Sequence, residues 1–104
     1  MSVRYSRNKG NRTERAIVHL LQAQGIAAEK ISGMYKPGAD LSVPVRGIDR
    51  AVEVKCRAGG FKQIYKSFEN RDALVIQSDR LEPLVVVRLV FAAELISAAE
   101  RGRA

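Results

Sequence analysis

The chain has one cysteine and one histidine in 104 residues, and no apolar run long enough to cross a membrane. A lone cysteine, Cys56, cannot form an intrachain disulfide, and one cysteine with one histidine cannot build a structural zinc site. The longest apolar candidate, LVVVRLVFAAELI, is interrupted by Arg88 and Glu94. The opening segment MSVRYSRNKGNR is basic but has no apolar core of the kind a secretory signal needs. Repeats and low-complexity tracts are also missing. A single cytoplasmic domain is expected, spanning residues 1–104, with a basic N-terminal arm at about residues 1–10 and a buried Cys56 thiol.

What is present is positive charge. Eighteen Lys and Arg stand against eleven Asp and Glu, a net charge of +7, and a field of that sign on a small surface attracts polyanions. Apolar residues at 46% and charged residues at 28% match a folded globular domain. Nucleic acid is the expected partner.

Hydropathy patterning predicts three helices and five strands. A first helix over about 9–24 places Ile17, Leu20, Leu21 and Gln24 on one side and Arg12, Arg15, His19 and Gln22 on the other, with Asn11 or Thr13 near its start and Gly25 past its end. Glu14 lies at the edge of the apolar stripe, where a buried carboxylate needs a partner. Strands follow over 26–31, 39–45 and 50–57; the turn RGID joins the last two, and the three suggest a meander. In the second strand Asp40 and Ser42 are expected on one face, with Leu41 and Val43 on the other.

Gly59-Gly60 then breaks the chain before a short helix over 61–69, whose apolar side is Phe61, Ile64, Tyr65 and Phe68, with Lys62 and Lys66 beside it. Residues 73–77 and 84–89 read as interior strands covered on both faces. A closing helix over 91–101 is expected to pack through Phe91, Leu95, Ala98 and Ala99. The order α-β-β-β-α-β-β-α points to an α/β fold around a mixed sheet, its faces covered by the first and last helices.

The stretch AVEVK, residues 51–55, raises the functional question. Alternation along a strand sends Glu53 and Lys55 to one side and Val52, Val54 and Cys56 to the other. That is either an ordinary half-exposed strand or one wall of an active site. Asp40, thirteen residues before Glu53, would lie beside it on a neighbouring antiparallel strand. Two opposed carboxylates repel unless a cation lies between them, and Mg²⁺, which takes one or two carboxylates with water and phosphate, is the natural candidate. Lys55 on the same face could then stabilise the charge of a phosphoryl group under attack. The cations Arg7, Lys9, Arg12 and Arg15 of the leading segment, with Lys62 and Lys66, are candidate DNA contacts.

The spacing D-x12-E-V-K with an upstream helical glutamate resembles the PD-(D/E)xK nuclease superfamily. More narrowly, RNKGNRTERAIVHLLQAQGIAAEK is similar to the archaeal-type Holliday junction resolvases through Lys9-Gly10, Glu14-Arg15 and Gly25, a likeness covering about residues 7 to 57. The resemblance implies a restriction-endonuclease-like fold and a Mg²⁺-dependent, structure-selective DNA endonuclease of recombination and repair, with Mn²⁺ able to substitute. It implies a nucleoid-associated homodimer, since resolving a four-way junction takes two symmetric cuts; the strand PLVVVRL and the helix from Phe91 are the expected interface. Glu14, Asp40, Glu53 and Lys55 would be catalytic, with Asp40, Glu53 and Glu14 at the metal and Arg15 and Lys30 on DNA. Lys30 stands where the family usually has arginine, the loop before Asp40 looks longer, and the compact C-terminal half differs in detail. In its shortness the chain resembles phage and prophage members. A nuclease for nicks, flaps or forks and a non-cleaving basic DNA-binding module are the alternatives.

Overall fold

A computed structural model describes residues 3–31 and 40–102, with side chains described from residue 11 onward. Its elements are α1 (Val3–Ala23), β1 (Glu29–Lys30), β2 (Leu41–Val45), β3 (Ile48–Val52), α2 (Lys62–Phe68), β4 (Leu74–Ile76), β5 (Leu84–Val86) and α3 (Leu89–Arg101). The order is the one patterning predicts. The architecture is mixed α/β, with three helices and two small antiparallel sheets, β1-β2-β3 and β4-β5. A single mixed sheet does not form among the described residues, because each strand pairs only with its neighbour in the chain.

The first helix starts earlier than its apolar stripe suggests. Nothing between Val3 and Gly10 breaks a helix except Gly10 itself, whose cost inside one is about 1 kcal/mol, so the backbone of the expected arm is helical from Val3. Asn11 therefore lies within the helix and does not cap it. The other end closes as the sequence suggests. Gly25 takes φ +81°, its amide donates to Gln22 O at 2.9 Å, and the Ile26 amide donates to Leu21 O at 3.1 Å. This is a Schellman closure, and its apolar contact is Leu21 with Ile26, both buried.

The core joins α1, β2 and α3. Val18, Leu21, Ile26, Ala28, Leu41, Val43 and Ala93 are buried together, with Ile17, Leu20, Val45, Val52, Val54 and Ile96 packed around them. Strand β2 is central in its sheet and covered on both faces, so Ser42 is buried at 6% exposure although alternation sends it outward. The β2–β3 hairpin turns through Arg46 (φ 57°) and Gly47 (φ 77°), the two left-handed residues that a tight two-residue hairpin requires.

Several boundaries and faces differ from the patterned expectation. Strand β1 is only Glu29–Lys30, and β3 ends at Val52, five residues before the expected end. Beyond that end no ladder dictates which side is covered, and Cys56 is exposed. Helix α3 packs through Ala93 and Ile96, leaving Phe91 44% and Leu95 53% exposed with Ala98 and Ala99 also at the surface. Tyr65 likewise faces solvent.

The strands expected to be interior form a separate two-stranded sheet. Val75 and Val85 lie opposite each other on it, 65% and 63% exposed, and Leu84 is exposed as well. Its link to α2 is made by Arg88, whose guanidinium lies 4.5 Å over the Phe68 ring and donates to Arg71 O at 3.0 Å.

Candidate active site

The site is positioned by a hairpin register. Val45 pairs with Ile48 across the Arg46-Gly47 turn, and the pairing runs back without interruption to Leu41 against Val52. One further step sets Asp40 against Glu53. There the ladder stops, and the Asp40 side chain takes its place. The Val54 amide donates to Asp40 Oδ2 at 2.7 Å, and the Asp40 amide donates to Val52 O at 2.9 Å. On its other side Asp40 O accepts from the Ile31 amide at 3.1 Å, so this one residue ties β1 to the end of β3. Its carboxylate is half-buried, and Oδ1 has no partner among the described residues.

Past Val52 the burial alternates only as far as Lys55. Val52 and Val54 are half-buried, while Glu53 and Lys55 are exposed and share a side, with Lys55 Nζ 3.3 Å from Glu53 Oε1. At more than half exposure each, this pair adds little to stability and opens at small cost. A phosphate arriving at Lys55 would compete for it directly.

Glu14 is placed differently from the expected metal cluster. Its partner is Lys30, with Lys30 Nζ 3.3 Å from Glu14 Oε2 and donating to Asn11 Oδ1 at 3.2 Å. The half-buried carboxylate on α1 thus has its cation, and that cation comes from β1. Among the described residues no three of His, Cys, Asp and Glu gather as a metal-ligand set. The structure therefore pairs Lys55 with Glu53 and Lys30 with Glu14, and holds Asp40 on the amide of Val54, which lies between Glu53 and Lys55 in the chain.

Of the expected DNA contacts, Arg12, Arg15, Lys62 and Lys66 are exposed, whereas the side chains of Arg7 and Lys9 lie outside the described residues. Gln63 and His19 are exposed too. Tyr35 and Lys36, which precede Asp40 in the sequence, lie outside the described residues. Two residues that were not expected at the site also belong here. Asn11 shares Lys30 with Glu14, and Arg57, two residues beyond Lys55, lines the same cavity as Lys55. The repeat of a cation two residues on was the available signal for Arg57. No described helix is long and apolar enough to cross a membrane. Comparison of the chain with known protein families, curated proteins and solved structures finds no match.

Proposed function

We propose that the protein is a Mg²⁺-dependent DNA endonuclease of the restriction-endonuclease-like kind that hydrolyses phosphodiester bonds in branched DNA. The observation that carries the reading is Asp40, fixed by the Val54 amide one register step beyond Leu41–Val52, with Glu53 opposite and Lys55 on the Glu53 side. Asp40 and Glu53 offer hard oxygen donors of the type and number Mg²⁺ accepts, and they are the residues that would hold it. When bound, the metal would supply Lewis acidity and an activated water. Lys55 neutralises the phosphate under attack after leaving Glu53. Lys30, held by Glu14 and Asn11, stands on the adjoining strand to orient the backbone of the DNA.

Charge distribution supports the choice of partner. Fourteen Lys and Arg against seven Asp and Glu lie in residues 1–72, and four against four in residues 73–104, so the whole +7 belongs to the part that carries the site. The defining test is a labelled four-way junction, a flap and a matched duplex, incubated with Mg²⁺ and with EDTA. Cleavage of the branched substrates only in Mg²⁺ is the expected result, and binding without cleavage of any of them would make the protein a DNA-binding module. Binding to the junction should weaken steeply with salt, and Arg12→Ala with Arg15→Ala should lower the slope of log affinity against log salt by about two. An unchanged slope would take α1 off the DNA.

Two symmetric cuts require two sites, and the neutral C-terminal part is where two +7 chains can meet with least repulsion. It also carries the uncovered apolar residues Val75, Leu84, Val85, Val90, Phe91 and Leu95. A two-stranded sheet is marginal alone and gains from covering such residues against a partner. Sedimentation at micromolar concentration is expected to give a dimer, and Val75→Lys with Val85→Lys a monomer. A monomeric wild-type chain on the junction would limit the enzyme to single nicks.

A further inference from the structure

A cavity of about 490 Å³ opens beside Lys55, between α1, the segment after β3 and the start of α2. Its volume is within the range of small-molecule sites, about 300–1,000 Å³. Ile17, Val54 and Phe61 provide apolar lining. Lys55, Arg57 and Lys62 line it as cations, and no carboxylate among the described residues does. Tyr65, on the same wall, is 75% exposed, unusual for a residue on the otherwise half-buried side of α2.

The glycine pair beside it leaves room for the Arg57 and Lys62 stems. A Cβ on Gly60 would stand 2.8 Å from Arg57 Cβ, and one on Gly59 would stand 3.0 Å from Lys62 Cε. At Gly60 a side chain would displace the Arg57 stem, whereas at Gly59 the Lys62 end could move aside. Gly59 also has φ +74°, which other residues rarely adopt.

We infer that this cleft binds an unstacked nucleotide of the DNA substrate, with the base on Tyr65 and the phosphate on Arg57 and Lys62. A flat apolar group with an attached anion satisfies both halves of the lining. Base stacking on an exposed aromatic residue beside cations is the way single-stranded DNA is held without sequence preference. The inference rests on the nuclease reading only in placing the scissile phosphate at Lys55. It narrows the substrate to DNA with an unpaired nucleotide next to the cut, as at branch points and flaps. Continuous duplex, whose bases stay stacked, cannot fill the cleft.

Cys56 makes the test independent of cleavage. It is the sole thiol, it is exposed, and it lines this cavity, so the rate at which a maleimide modifies it reports occupancy. The full chain in EDTA is treated with a ten-nucleotide oligothymidylate, an abasic deoxyribose-phosphate strand of the same length, or a blunt duplex, while anisotropy of labelled strands gives affinity. The oligothymidylate is expected to slow modification at least fivefold, and the other two are not. Tyr65→Ala, at a position too exposed to matter for folding, should weaken oligothymidylate binding about tenfold and abolish protection, while Tyr65→Phe retains both. Equal protection by the abasic strand, no protection by the oligothymidylate, or unchanged affinity in Tyr65→Ala overturns the inference. Absent protection with intact Mg²⁺-dependent cleavage removes the cleft and leaves the nuclease; protection without cleavage of any substrate does the reverse.

Discussion

Asp40→Asn is expected to lower the rate of junction cleavage by about a thousandfold or more while leaving DNA affinity equal or higher. Losses of that size follow when one member of a catalytic group that acts as a unit is removed. The substitution isolates charge from structure. Asparagine keeps an oxygen to accept the 2.7 Å bond from the Val54 amide, so the end of β3 stays attached to Asp40's position. What disappears is the negative charge that would hold Mg²⁺ and that otherwise repels the DNA phosphate. Asp40→Ala, in contrast, leaves the Val54 amide without its acceptor and should also lower thermal stability. In the same assay Lys55→Ala should cost about a hundredfold or more in rate with little change in stability, because its side chain is exposed. Single-turnover cleavage with saturating enzyme separates these outcomes from binding. An Asp40→Asn protein that cuts at the wild-type rate would remove the metal site from this part of the molecule.

Leu41→Ala is expected to cost about 2–5 kcal/mol, the range for emptying a fully buried leucine position. For a small domain with a total stability of about 5–15 kcal/mol, that is a large fraction. Leu41 has no exposed surface and lies on the central strand, one residue after Asp40, where Lys30 pairs with it on one side and Val52 on the other. A cavity there loosens the register that sets Asp40 against Glu53, so activity should fall together with stability. Ile48→Ala in the same hairpin is the control. Ile48 is 54% exposed, and its replacement should change stability by no more than about 0.5 kcal/mol. Urea unfolding of the three proteins measures both values. Similar losses for Leu41 and Ile48 would mean that the core is not centred on β2.

The element order, the closure of α1 at Gly25 and the antiparallel hairpin whose register runs toward Asp40 and Glu53 were all legible in the sequence, and for a common reason. Each depends on chain-local geometry. A glycine after an apolar helical stripe permits the left-handed residue that ends the helix. A two-residue turn at Arg46-Gly47 sets the pairing of Val45 with Ile48, and equal steps back along both strands lead to Asp40 and Glu53. Glu14 was legible as a carboxylate in need of a partner, though that the partner is Lys30 required the packing of β1 against α1.

Tertiary structure alone decided which faces are covered. Periodicity tells which side chains share a side but carries no information on what, if anything, lies against it. The apolar runs of β4 and β5 read the same whether sandwiched between helices or left open, and they are left open because their sheet pairs only with itself. Phe91 and Leu95 follow a helical stripe as regular as that of Ala93 and Ile96, and which stripe α3 buries depends on the angle at which it meets α1 and the first sheet. Cys56 is exposed because β3 ends at Val52. The Val54 amide donates to Asp40 and not to another strand, and beyond that point alternation no longer has a sheet to act on.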